Sequence, residues 1–192
     1  MARIAIIDGH PDTDRARFVH ALADAYAAGA EAGIHEVRRI DIASLDFPIL
    51  RSAKEWREAN PVDTIHTAQI DIRWADHLVI LYPLWLGDVP ALLKAFLEQV
   101  MRPGFAIDET EPDQPARLLG GWSARIIVTM GMPAPFHRFF YRAHSLKSLD
   151  RNLLRLVGIA PVRYSIIGGV EKGGGHRKHW LHCVRQLGRD AR

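Results

Sequence analysis

The sequence predicts an α/β protein on a doubly wound, five-stranded parallel sheet, strand order 2-1-3-4-5, with helices on both faces. Three observations lead there. Five short apolar runs alternate along the chain with five helix-period segments. The runs are nearly continuous in apolar residues rather than alternating, as in strands covered on both sides. No repeat, low-complexity tract or linker interrupts the chain, so residues 1–192 read as one domain.

The elements follow in order. "RIAII" (3–7) is the first strand, stopped by "DGHPD". Residues 15–32 form a helix, with Phe18, Val19, Leu22 and Tyr26 at helical spacing and Gly33 as its stop. "HEVRRIDI" (35–42) is the second strand. A long connection holding Pro48 and Pro61 follows, with a short helical piece around 53–59. Residues 62–74 are helical, with Ile65, Ala68 and Ile72 on one face. "HLVILY" (77–82) is the third strand and the most apolar. The next helix carries Leu92, Leu93, Phe96, Leu97 and Val100, with Pro90 suited to its first turn. Residues 102–122, rich in Pro and Gly, read as an irregular excursion. "ARIIVTM" (124–130) is the fourth strand, 146–157 a helix, "VRYSIIG" (162–168) the fifth strand, and 176–188 the closing helix.

Bulk composition excludes several function classes. Hydrophobic residues make up 48% and charged residues 24%, as in a soluble globular protein. The net charge of +3 has no Lys/Arg patch behind it, so no nucleic-acid partner is expected. The densest basic cluster, "GGGHRKHW" (173–180), reads as a solvated loop and helix start. The one cysteine, Cys183, excludes an intrachain disulfide and multi-cysteine metal sites, and fits a reducing, cytoplasmic compartment. The N-terminal "MARIAIIDGHPD" meets Asp8 before a signal-length apolar region develops. No apolar run approaches the roughly 18–20 residues of a membrane span, so no stable membrane insertion is expected.

In a sheet of this order, ligands bind beyond the carboxyl ends of strands 1 and 3. The loops there are "DGHPDTDRAR", "YPLWLGDVP" and, from strand 4, "TMGMPAPFHR". They lack G-x-G-x-x-G, the P-loop pattern and the G-x-S-x-G elbow. The first loop leads into a helix N-terminus, which favours an anion such as phosphate. His10 reads equally as a phosphate contact or as a turn residue satisfied by backbone; Arg17 reads as a donor or as part of a solvated face. The third loop offers rigid backbone at Pro83 with apolar cover from Leu84, Trp85 and Leu86. It suits a flat, weakly polar ring, although Trp85 could equally plug the core or make a subunit contact. Thr129, Gly131 and Met132 supply a second backbone edge. His137 and His144 are widely spaced and near few carboxylates, so no metal site is expected.

Three stretches, "GHPDTD…RFVHALADAY", "YPLWLGDVPALLKAFLEQV…RPGFA" and "VTMGMP…RAHSLKSL", resemble the flavodoxin-like NAD(P)H dehydrogenase (quinone) family. The resemblance runs from about residue 3 to about 170, and "PLW-x-x-x-x-P-A-x-L-K" is its specific part. It implies a flavodoxin-like fold, bound FMN or FAD with FMN preferred, NADPH or NADH as donor, a quinone-like substrate and a homodimer. By match, His10, Arg17 and Phe18 take phosphate and ribityl positions. Pro83, Leu84, Trp85 and Leu86 take the isoalloxazine loop, and Thr129, Gly131 and Met132 take flavin positions in the loop after strand 4. Tyr141 and His144 take the substrate-side positions. Many members carry Ser-Phe-Asn where this chain has Arg17-Phe18-Val19, so a hydroxyl and an amide are missing from the phosphate end. That departure motivates a rival expectation, an ancillary flavin-binding subunit of a partner such as an ion-efflux system. A single-electron carrier ranks last, since such carriers are commonly acidic and this chain has a pI of about 9.2.

Overall fold

A computed structural model describes residues 1–109, 116–133 and 142–191. The main sheet comprises β1 (Arg3–Asp8), β2 (Glu36–Asp41), β3 (His77–Pro83), β6 (Ser123–Met130) and β7 (Val162–Gly168). They run in the order β2-β1-β3-β6-β7, all neighbours parallel, which is the predicted 2-1-3-4-5 arrangement. The helices are α1 (Phe18–Ala32), α2 (Ala53–Glu58), α3 (Asp63–Trp74), α4 (Ala91–Val100), α5 (His144–Leu149) and α6 (Gly174–Arg189).

The period-two geometry of a strand splits the apolar runs between two cores. Ile4 and Ile6 of β1, Val79 and Leu81 of β3 and Ile127 of β6 face α1 and α6. Ala5 and Ile7, Leu78, Ile80 and Tyr82, and Ile126 and Val128 face the layer of α3, α4 and α5. Central strands with apolar residues at both parities are therefore covered on both sides. The outer strands are covered less completely. Arg38 and Arg39 of β2 are partly or fully exposed, and Tyr164 of β7 is 42% exposed. Pairing on one edge only leaves these strands half in water, which explains their charged residues.

Two glycines let α6 close down on α1. A Cβ at Gly29 would stand 1.9 Å from the Arg185 carbonyl oxygen, and one at Gly188 would stand 2.1 Å from that of Tyr26. Gly33 does cap α1, and close packing rather than a left-handed φ requires glycine there. Its φ is −86°, its Cβ would stand 2.3 Å from the Arg189 carbonyl oxygen, and Ile34 takes the positive φ of 60° instead.

Some boundaries move. α1 starts at Phe18 rather than 15, because Arg17, Asp14 and Asp12 fold a turn ahead of it. Pro90 is the residue before α4 rather than inside its first turn. The excursion after α4 contains a short antiparallel pair, β4 (Ile107–Asp108) and β5 (Ala116–Arg117). The predicted helix over 146–157 is instead α5 followed by a π-type turn, Asp150–Leu154, in which Arg155 N–H donates to the Asp150 carbonyl. Among the described residues, no helix is long and apolar enough to cross a membrane.

Candidate active site

The carboxyl ends of β1, β3 and β6 lie side by side in register, Asp8 against Leu81 and Pro83 against Thr129. The chain leaving β1 crosses β3 at once: Gly9 N–H donates to the Leu81 carbonyl at 2.7 Å. A Cβ at Gly9 would come within 2.6 Å of that oxygen and 2.8 Å of Leu93, so the crossing requires glycine.

The first loop is organised from beneath by a buried pair. Asp8 and His20 are both fully buried, and His20 Nδ1 lies 2.6 Å from Asp8 Oδ2. His20 Nε2 lies 2.8 Å from the Asp12 carbonyl oxygen. Both ring nitrogens therefore face acceptors, an arrangement that the doubly protonated imidazolium satisfies. Burial opposes that charge, but the hydrogen bonds to Asp8 and Asp12 together outweigh it, and the His20 pKa is raised above its ordinary value. Arg39 and Arg15 approach the same Asp8 oxygen at 3.6 Å and 3.9 Å. Arg15 also bridges Asp24 at 2.9 Å and Asp41 at 3.3 Å.

Above this pair sits His10, 7% exposed. Its Nδ1 accepts the Asp12 N–H at 3.1 Å, which places the neutral ring's proton on Nε2. Burial, then the neighbouring His20, lowers its pKa, so His10 offers a neutral Nε2–H donor. Its ring centroid is 6.0 Å from that of Trp85, edge to face. The first and third loops thus meet through His10 and Trp85.

Arg17 is held rather than free: its guanidinium bridges Asp12 at 2.7 Å and Asp14 at 3.7 Å. It occupies the N-cap of α1 without a side-chain hydrogen bond to the helix, and no acid lies in the first turn. The positive end of α1 is therefore uncompensated by a side-chain cap. Phe18 packs onto the α1/α6 core beneath the Arg177 guanidinium.

The third loop begins at Pro83. Leu84 N–H donates to the Thr129 carbonyl at 2.8 Å, tying this loop to β6, and Leu84 packs on the core. Trp85 and Asp88 exchange backbone hydrogen bonds of 3.0 and 2.9 Å across Leu86 and Gly87, whose φ values are +49° and +83°. Two successive positive φ values define a primed turn. Leucine is a costly occupant of the left-handed region, yet Leu86 is fully exposed at its tip, and Trp85 is 48% exposed.

Beyond β6, Met132 is half-buried against the core and its carbonyl accepts Gly169 N–H at 3.1 Å. Gly131 is exposed, and a Cβ there would meet only Glu171 at 3.6 Å, so the protein itself does not demand glycine. His144 is exposed at the first position of α5, after Arg142 and Ala143 at φ +49°. No described contact joins it to His10 or Trp85. Its neighbour Ser145 lines, with Asp88 and Val89, a cavity of about 170 Å³ behind the third loop. Tyr141 lies outside the described residues. No group of three or more His, Cys, Asp or Glu able to hold a metal occurs among the described residues.

His20 and Arg39 were not among the residues singled out from sequence. One signal was present: His20 lies on the same α1 face as Val19, Leu22, Ala23 and Tyr26, and a polar residue on a buried stripe needs a partner.

Comparison with known proteins agrees with this architecture. A family described as flavodoxin-like fold matches residues 2–186. An uncharacterized NAD(P)H oxidoreductase of Haemophilus influenzae is 30% identical over 171 residues, covering 86% of this chain and 83% of that one. An FMN-dependent NADH:quinone oxidoreductase of Alteromonas mediterranea is 26% identical over 151 residues, 71% of this chain and 72% of the relative. The solved NAD(P)H:quinone oxidoreductase of Methanothermobacter marburgensis superposes with a TM-score of 0.82 at 23% identity, covering 100% of this chain and 99% of that one, a likeness of fold.

Proposed function

We propose that this chain, which belongs to the flavodoxin-like family and is an oxidoreductase, binds FMN at the edge of β1, β3 and β6 and reduces a quinone-like acceptor. The observation that carries the reading is the meeting of two unlike surfaces. An uncapped helix N-terminus and the His10 Nε2–H lie on one side, and the half-exposed Trp85 and exposed Leu86 turn on the other. An anionic group attached to a flat ring matches that pairing.

When bound, the flavin supplies two-electron transfer between NADH or NADPH and the acceptor. The protein's own residues do the rest. The α1 N-terminus takes the phosphate. His10 donates from Nε2, held in that tautomer by Asp12. The Asp8–His20 pair keeps the first loop in place. Pro83 and Leu84, tied to Thr129, present a backbone edge to the ring. Trp85, Leu86 and Met132 exclude water from it. We further read the active form as a homodimer, which would cover the apolar Leu86 tip.

The test is the visible absorption of the purified protein, before and after incubation with FMN or FAD, followed by NADH and NADPH in turn. Flavin absorbance that bleaches with a nicotinamide donor and recovers on adding quinone supports the reading. A protein that takes up neither flavin would overturn it.

A further inference from the structure

A second cleft opens on the outer side of α3, away from the three loops of the sheet edge. It has a volume of about 480 Å³ and is lined by residues 56–61, by one side of α3 from His66 to Arg73, and by residues 102–105 after α4. That size falls inside the roughly 300–1,000 Å³ common for small-molecule sites. None of its lining residues belongs to the loops after β1, β3 or β6.

Its charge is unbalanced. Arg102 lines the cleft and is only 5% exposed. Its Nη1 donates to the Ala59 carbonyl and its Nη2 to Gln99 Oε1, both neutral acceptors. Its Nε is buried with no partner at all. Gln99 is itself committed, donating to the Pro48 carbonyl, so it cannot turn to serve the arginine differently without losing that bond. Arg73, also in the lining, lies over the Phe105 ring at 4.9 Å and makes one long hydrogen bond, 3.4 Å, to the Phe105 carbonyl. The other charges at the cleft are paired: Arg57 with Glu109 at 3.4 Å and Glu58 with Lys54 at 4.0 Å. Among the described residues, neither Arg73 nor Arg102 has a carboxylate within ion-pair distance.

Glu55 attracts the Arg102 guanidinium from beyond ion-pair distance, but burial outweighs it, so the desolvation of this group, with its neutral partners and orphaned donor, is only partly repaid. Guanidinium geometry matches the oxygens of carboxylates and phosphates. Trp56 and Phe105 add flat apolar wall. We propose that this cleft is a second ligand site, taking a small molecule with a carboxylate or phosphate group on a flat apolar body, the oxyanion between Arg102 and Arg73. The site is independent of the flavin reading, since it shares no residue with the sheet edge.

The experiment titrates the full chain, FMN-incubated and at constant ionic strength, with inorganic phosphate and separately with benzoate. Two readouts are followed, calorimetric heat and the arginine Nε–H resonances. Saturable binding that shifts the Arg102 Nε–H signal is expected for at least one probe. Phosphate alone would identify a phosphate-bearing ligand, and benzoate alone a carboxylate on an apolar body. Arg73→Gln, at an exposed position that leaves the core untouched, is expected to weaken binding about tenfold or more, the loss of one charge-assisted contact. Arg102→Lys keeps the charge and loses the fork, and is expected to weaken it further. Flavin uptake in Arg73→Gln stays as in the parent. No saturable binding of either probe, or binding unchanged in both variants, overturns the proposal.

Discussion

In the loop after β1 the charged side chains are already engaged, whereas the loop after β3 presents Trp85 and Leu86 to solvent on a left-handed turn. The first loop is stiffened by charge: Asp8 with His20 beneath, Arg17 with Asp12 and Asp14 across it, and Arg15 with Asp24 and Asp41 at its flank. The third is stiffened by backbone: Pro83, the Leu84–Thr129 bond, and the paired Trp85–Asp88 bonds. One surface leaves a helix N-terminus without a side-chain cap, and the other leaves apolar area exposed. Stability is concentrated in the first loop's foundation, while the third stores unfavourable conformation and exposure at its tip. Such strain is tolerated where the surroundings over-determine it, and it is commonly found at functional sites.

The comparison breaks most visibly at Asp8. Asp8→Ala strips the buried His20 ring of its partner and is expected to cost about 3–5 kcal/mol. Urea unfolding measures it; a midpoint equal to the parent's would show that the pair is not the foundation of the loop. In the third loop the same kind of change should behave in the opposite way. Leu86→Gly relieves the left-handed leucine and is expected to raise stability by about 0.5–1 kcal/mol. It also removes apolar cover, and quinone reduction is expected to lose about tenfold in kcat/KM. Unfolding and turnover measured on one preparation decide this, and a variant losing both stability and activity would place Leu86 in the fold rather than the site. The smallest effect is in pH. The folded pKa of His20 is raised, so its contribution is complete below the ordinary value of about 6.5 and is lost as pH rises through the folded value. Unfolding midpoints should therefore decline above neutrality in the parent, with a flatter profile in Asp8→Asn.

Much of the fold was legible because apolar runs report burial directly. "RIAII", "HLVILY" and "ARIIVTM" became the three central strands, each feeding two cores. The charged "HEVRRIDI" lies at one edge of the sheet, where water reaches one side. The 146–157 segment was harder. Its leucines fit a helix, but the π-type turn at Asp150–Leu154 is tied to β7 through the Tyr164 hydroxyl, which donates to the Asp150 carboxylate. At the site, the "PLWLG" segment and His10 were legible as motifs, and the structure places them in contact. The pairing of Asp8 with His20, twelve residues apart, was not, because neither residue type nor spacing announces a partner across a strand–helix turn.

The alternation of strands and helices, a candidate site at the carboxyl edge of the sheet, and the unlike character of its two main loops were all readable from the sequence. These depend on local pattern: hydrophobic period, proline and glycine placement, and helix starts. Tertiary structure alone decided which charges are paired. It engaged Arg17 with two aspartates, buried His20 on Asp8, and left Arg102 buried among neutral carbonyls. Charge pairing depends on distances and desolvation across elements far apart in the chain, and composition does not carry that information.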